Sequence, residues 1–130
     1  MKEKLTKLAL AARENAYAPY SGFKVGAAVL CESGKIYTGA NIENVSYGLT
    51  NCAERSAIFT AMSAGERKIC AIAIAGGKDA CDYTMPCGAC RQVLSEFADE
   101  NCPVYLIKSE TEIKMYTLGE LLPYAFGGIK

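Results

Sequence analysis

Three cysteines and one glutamate carry the chemistry open to this chain. Cys52-Ala53-Glu54 sits near the start of one helical stretch, NCAERSAIF at 51–59. Pro86-Cys87-Gly88-Ala89-Cys90 opens another, MPCGACRQVL at 85–94. A helix N-terminus carries partial positive charge and favours thiolate over thiol. Two such ends facing each other make an anionic pocket suited to a thiophilic cation. Zinc takes thiolates readily, and a catalytic zinc uses three protein ligands with one position left for water. Cys52, Cys87 and Cys90 can supply that set. The sequence holds no histidine, so any zinc site must use thiolates or carboxylates, and no imidazole can serve as base. Two other readings stand beside this one. A closed structural zinc needs a fourth ligand, which Cys81 or Cys102 can provide by type, and Cys87-x-x-Cys90 alone also fits a redox dithiol.

The elements that must position these groups are legible from periodicity. Leu5, Leu8, Ala9, Ala12 and Ala16 follow a helical pattern that Pro19 bars from continuing. FKVGAAVL places Phe23, Val25, Ala27 and Val29 on one face of a strand. ESG turns the chain, and KIYTGA returns it as a hairpin partner. NIENVSYGLT lacks periodicity and reads as a loop. A second helix is expected from Asn51 to Ala64, stopped by Gly65. ICAIAIA at 69–75 is a continuous apolar run, as in a strand covered on both faces. Pro86 takes the first position of a third helix, which shows Val93, Leu94, Phe97 and Ala98 on one side. PVYLIK at 103–108 is a further buried strand and EIKMY at 112–116 an edge strand. TLGELL forms a short helix before the tail PYAFGGIK. The order α-β-β-α-β-α-β-β-α describes one α/β domain over 1–130, a three-layer α-β-α arrangement around a mixed sheet of about five strands.

Composition narrows the partners. Fourteen basic residues balance fourteen acidic ones, which argues against the basic stripe of a nucleic-acid binder but leaves a single nucleoside open as substrate. The apolar fraction of 51% is high for 130 residues and points to a surface for self-association. No run is long enough for a signal-peptide core or a membrane span, so a cytoplasmic protein is expected. Seven cysteines, an odd number, fit metal ligands and core residues better than a disulfide framework.

Glu54 separates the readings of the cysteines. A glutamate near the third helical position suits a capping box. Yet C-A-E followed about thirty residues later by P-C-x-x-C matches the zinc deaminase signature in its three-cysteine form. With YAPYSGFKVGAAVL, GKIYTGANIENVSYGLTNCAERSAIF, PCGACRQVLSEF and LLPYAF, the chain resembles the cytidine deaminases over nearly its full length. The likeness is to the small homotetrameric branch with three cysteine ligands.

That resemblance implies one Zn²⁺ per subunit on Cys52, Cys87 and Cys90. It implies hydrolysis of cytidine and deoxycytidine to uridine and deoxyuridine with release of ammonia, in pyrimidine salvage. Glu54 is then the proton shuttle between an activated water and the base. Asn41 and Glu43 resemble the pair that binds the ribose hydroxyls, Phe23 the aromatic beside the pyrimidine, and the Ala53 backbone N–H the contact to the base carbonyl. Arg55 resembles a cation aimed at the thiolates, with Gln92 helping to hold it. Phe126 resembles an aromatic that stacks on the base in a neighbouring subunit, and Tyr47 is expected near a neighbour's pocket. Cys31, Cys70, Cys81 and Cys102 match no ligand position.

Overall fold

The computed structural model describes residues 1–127. Four α-helices, α1 (Lys2–Arg13), α2 (Ala53–Ser63), α3 (Gly88–Phe97) and α4 (Leu118–Leu121), flank five strands, β1 (Lys24–Cys31), β2 (Ile36–Ala40), β3 (Ile69–Gly77), β4 (Pro103–Ile107) and β5 (Ile113–Thr117). The strands form one mixed sheet in the order β2-β1-β3-β4-β5. Only β3 and β4 run parallel, with Ile72 beside Val104 and Ile74 beside Leu106, and α3 lies on the crossover between them. The β1–β2 hairpin turns at Gly34, whose φ of +90° suits glycine.

Strand alternation divides the core into two layers. On one face Leu5 and Ala9 of α1 pack on Ala28, Ala71, Ala73, Ala75 and Ile107. On the other, Ala57, Ile58 and Ala61 of α2 and Leu94 of α3 pack with Val25, Ala27, Val29, Ile72, Ile74, Val104 and Leu106. This is the three-layer α-β-α arrangement expected. The small residues of the sheet let the helices sit close. A Cβ on Gly39 would lie 2.4 Å from the Ala57 nitrogen, so the backbone of α2 rests directly on β2. Gly39→Ala is expected to destabilise the fold by about 1–3 kcal/mol in urea titration, as overpacking does. Unchanged stability would show that α2 is free to move outward.

Several boundaries differ from expectation. Ala16 falls outside α1, which ends at Arg13. There the Arg13 guanidinium donates to the carbonyls of Lys24, Gly77 and Asp79, tying the helix end to the sheet. Phe23 precedes β1 and is 39% exposed rather than in the core. Pro86 is not the first helical residue. It precedes Cys87, which is the N-cap of α3 with an extended backbone. The second helix begins at Ala53 rather than Asn51, because Cys52 is likewise an extended N-cap. An N-cap side chain projects over the helix end, where these two thiols are needed. At the C-terminal side, Thr117 caps α4 in a full capping box with Glu120.

Candidate active site

Two helix starts meet at the cysteines. The Sγ atoms of Cys52 and Cys87 lie 3.8 Å apart, those of Cys87 and Cys90 lie 3.4 Å apart, and all three fall within 4.8 Å of one another. Tetrahedral zinc with Zn–S bonds of about 2.3 Å requires sulfurs separated by about 3.8 Å. The thiols therefore already stand near a zinc-binding triangle, and the donor set fits the metal. Neither Cys81 nor Cys102 joins the cluster, which is the one potential metal-ligating group among the described residues. A closed four-thiolate site has no fourth cysteine there. Burial pushes the thiols of Cys31 to about 11 and Cys102 to about 12. Both are neutral core residues, while Cys70 is exposed and Cys81 half-buried.

The three thiols do not share charge equally. The adjacent Cys90 thiol, with the Arg55 guanidinium and Cys87, draws the Cys52 thiol down to about 5. The closeness of Cys52, with burial, holds Cys90 well above its ordinary value. Arg55 donates from Nη2 to the Cys52 sulfur at 3.3 Å. Its hydrogen bond to Cys52, with the adjacent Cys90 thiol, raises its own pKa further, so it is cationic throughout. A cation in the first turn of a helix opposes the macrodipole, and the thiolates beside it supply the compensation.

Glu54 is 5% exposed. Desolvation pushes its carboxyl up to about 7, and the charge on Cys52 adds to the effect. A carboxyl poised near neutrality can both accept and return a proton. The capping-box alternative fails on geometry: α2 begins at Ala53, so Glu54 is its second residue and Arg55 its third, and Cys52 makes no side-chain cap bond.

Cys52, Ala53, Glu54 and Cys87 line a cleft of about 220 Å³, together with Phe23, Asn41 and Glu43. A larger cavity of about 600 Å³ lies elsewhere, against Ser95, Leu118 and Tyr124, with no metal-ligating cluster. The Asn41 side chain is buried and pairs like a strand with its neighbour: Oδ1 accepts from Val25 N and Nδ2 donates to the Phe23 carbonyl, each at 2.8 Å. The Glu43 carboxyl is held below its ordinary range, chiefly by the Ser21 hydroxyl and further by the Ser21 and Tyr20 amides.

Two of the predicted substrate-binding residues stand apart from the cleft lining. Tyr47 is 75% exposed and meets Tyr20 edge-on at 6.2 Å, and Phe126 is 72% exposed. Gln92 does not hold Arg55: its Nε2 donates to the Phe126 carbonyl at 3.2 Å and so anchors the tail. Two further groups support the site without a signal in the sequence. Ser21 braces Glu43. Arg91 donates to the carbonyls of Pro86 at 2.8 Å and Leu121 at 2.7 Å, pinning the metal loop to the end of α4. Neither carries a spacing signal, because each acts through contacts between segments distant in sequence or through backbone carbonyls.

Comparison with known proteins agrees with this geometry. Residues 1–106 match the family described as cytidine and deoxycytidylate deaminase zinc-binding region. A cytidine deaminase of Halalkalibacterium halodurans is 51% identical, over 96% of this chain and 93% of that protein. The crystal structure of cytidine deaminase from Burkholderia pseudomallei is 47% identical and superposes with a TM-score of 0.88, covering 97% of this chain and 99% of that one. That from Mycobacterium tuberculosis is 41% identical with a TM-score of 0.82, covering 97% of both chains. The chain belongs to the cytidine deaminase family, a class of zinc-dependent hydrolases.

Proposed function

We propose that this chain hydrolyses cytidine and deoxycytidine to uridine and deoxyuridine with release of ammonia, as a step of pyrimidine salvage. The observation that carries the reading is Glu54, buried with a carboxyl near neutrality beside three convergent thiols at the wall of a cleft. Zinc on Cys52, Cys87 and Cys90 supplies the Lewis acidity that makes nucleophilic water available at neutral pH. Glu54 accepts a proton from the attacking water and delivers one to ring N3, as oxygen bonds to C4. It then takes the second proton from the new C4 hydroxyl and hands it to the exocyclic amine. The C4–N4 bond breaks, ammonia leaves and the C4 carbonyl forms. Asn41 and Glu43 bind the sugar hydroxyls, Phe23 packs beside the base, and the Ala53 N–H meets the base carbonyl. Release of one ammonia per cytidine consumed tests the reading.

Arg55 offsets the net negative charge of three thiolates on Zn²⁺. Zinc-replete Arg55→Gln is expected to lose about 10–100-fold in kcat/KM, as changes to groups that support metal ligands do. Zinc content is measured first. Full activity in the zinc-loaded variant would return Arg55 to an ordinary helix residue.

The active form is a homotetramer whose sites are completed by neighbours. Tyr17, Tyr20, Ile42, Val45, Tyr47 and Leu49 are all exposed, an apolar display that supports burial against other copies. Phe126 then enters a neighbour's site and stacks on the base, a contact worth about 1–3 kcal/mol. Phe126→Ala is expected to raise KM about tenfold or more. Mixing Phe126→Ala subunits with Glu54→Gln subunits should recover activity, since some sites then combine one intact part from each. A monomer by sedimentation would contradict this assembly. No helix among the described residues is long and apolar enough to cross a membrane, and all seven cysteines are free. The free thiols support a cytoplasmic location.

A further inference from the structure

We infer that Ser21 is a positioning residue for sugar recognition: its hydroxyl orients the one Glu43 oxygen left able to receive a ribose hydroxyl and ties it to the wall beside the base. The inference rests on the deaminase reading above. Both residues line the cleft that also holds Glu54. Glu43 Oε1 accepts from the Tyr20 amide at 2.9 Å and the Ser21 amide at 3.1 Å. A carboxylate oxygen offers two acceptor positions, so Oε1 is saturated. Glu43 Oε2 accepts from the Ser21 hydroxyl and keeps one position free. That position is the only acceptor capacity the carboxylate has left for substrate, and Ser21 fixes its direction.

The same hydroxyl works in a second direction. With its proton committed to Glu43, Ser21 Oγ accepts from the Phe23 amide at 2.9 Å. Asn41 grips the next stretch of chain through Phe23 and Val25. The groups that meet the sugar and the aromatic that meets the base therefore share one scaffold, residues 20–25. Loss of the Ser21 hydroxyl leaves Oε1 anchored but frees Oε2 to turn away from the sugar.

The test compares Ser21→Ala with the parent enzyme on two substrates, cytidine and 2′,3′-dideoxycytidine, which lacks the 2′ and 3′ hydroxyls of the ring. On cytidine the substitution is expected to lower kcat/KM about tenfold, the scale of a hydrogen bond to a charged group, with most of the change in KM. On the dideoxy substrate the fall should be smaller, about threefold or less, because the ring hydroxyls that Oε2 would receive are already absent and only the support of the Phe23 amide is lost. An equal fall on both substrates, or a loss confined to kcat, overturns the inference. If Ser21→Ala does not fold, Ser21→Cys, whose thiol is a weak donor, provides the same contrast. A parent enzyme that releases no ammonia from cytidine would sink the deaminase reading itself, a result distinct from either outcome for Ser21.

Discussion

Glu54→Gln is expected to keep its zinc and its fold while losing about 10²–10⁴-fold of its turnover, the range general acid–base groups contribute. The amide matches the carboxyl in shape and sits at the same second position of α2, so burial and packing survive. It cannot, however, accept a proton from water and pass it to the ring. The environment makes this loss specific. Burial has pushed the Glu54 carboxyl to about 7, where it gives and takes protons at neutral pH. Turnover by a zinc-loaded Glu54→Gln enzyme near that of the parent would remove Glu54 from the mechanism. Zinc content and the thermal midpoint of the same preparation separate lost chemistry from lost structure.

Cys90→Ala is expected to abolish measurable activity and to drop the zinc content below one equivalent per chain. Cys90 is 1% exposed and sits in the first turn of α3, behind the more open Cys52 and Cys87. No other cysteine lies within reach to replace it. Two thiolates cannot hold zinc as three do, and the binding energy lost is also folding energy. The variant should therefore melt earlier than the parent, by more than a comparable change at Cys31, which takes no part in the cluster. Full zinc occupancy and activity in Cys90→Ala would dismantle the ligand assignment. The variant also distinguishes the site from a redox dithiol, whose loss would leave zinc content unaffected.

Much of this was legible in the sequence because it depends on local pattern. Alternating apolar residues placed Val25, Ala27 and Val29 on a single core face, and the apolar run at 69–75 is a strand covered on both sides. The spacing of Cys52, Glu54, Cys87 and Cys90 sufficed to nominate the metal site. What escaped depends on a single residue of register or on contacts between distant segments. Whether Glu54 is the second or third residue of α2 decides between buried acid and helix cap, and periodicity does not resolve one position. Phe23 has the parity of a core residue, yet it stands one place before β1 and turns to the cleft. Asn41 reads as a loop residue but uses its amide as a strand would. Resemblance puts Gln92 beside Arg55, whereas the fold brings the tail carbonyl of Phe126 to it. Arg91 and Ser21 act on a carbonyl or carboxylate from elsewhere in the chain, and no composition or spacing records such partners.

The most direct measurement follows ultraviolet absorbance of cytidine and ammonia release together, on the purified enzyme, after zinc chelation and after zinc is restored. The expected result is one ammonia for each cytidine lost, no turnover once zinc is stripped, and recovery on adding Zn²⁺. Cytidine consumption without ammonia, or undiminished turnover by a chain shown to hold no zinc, would contradict the account.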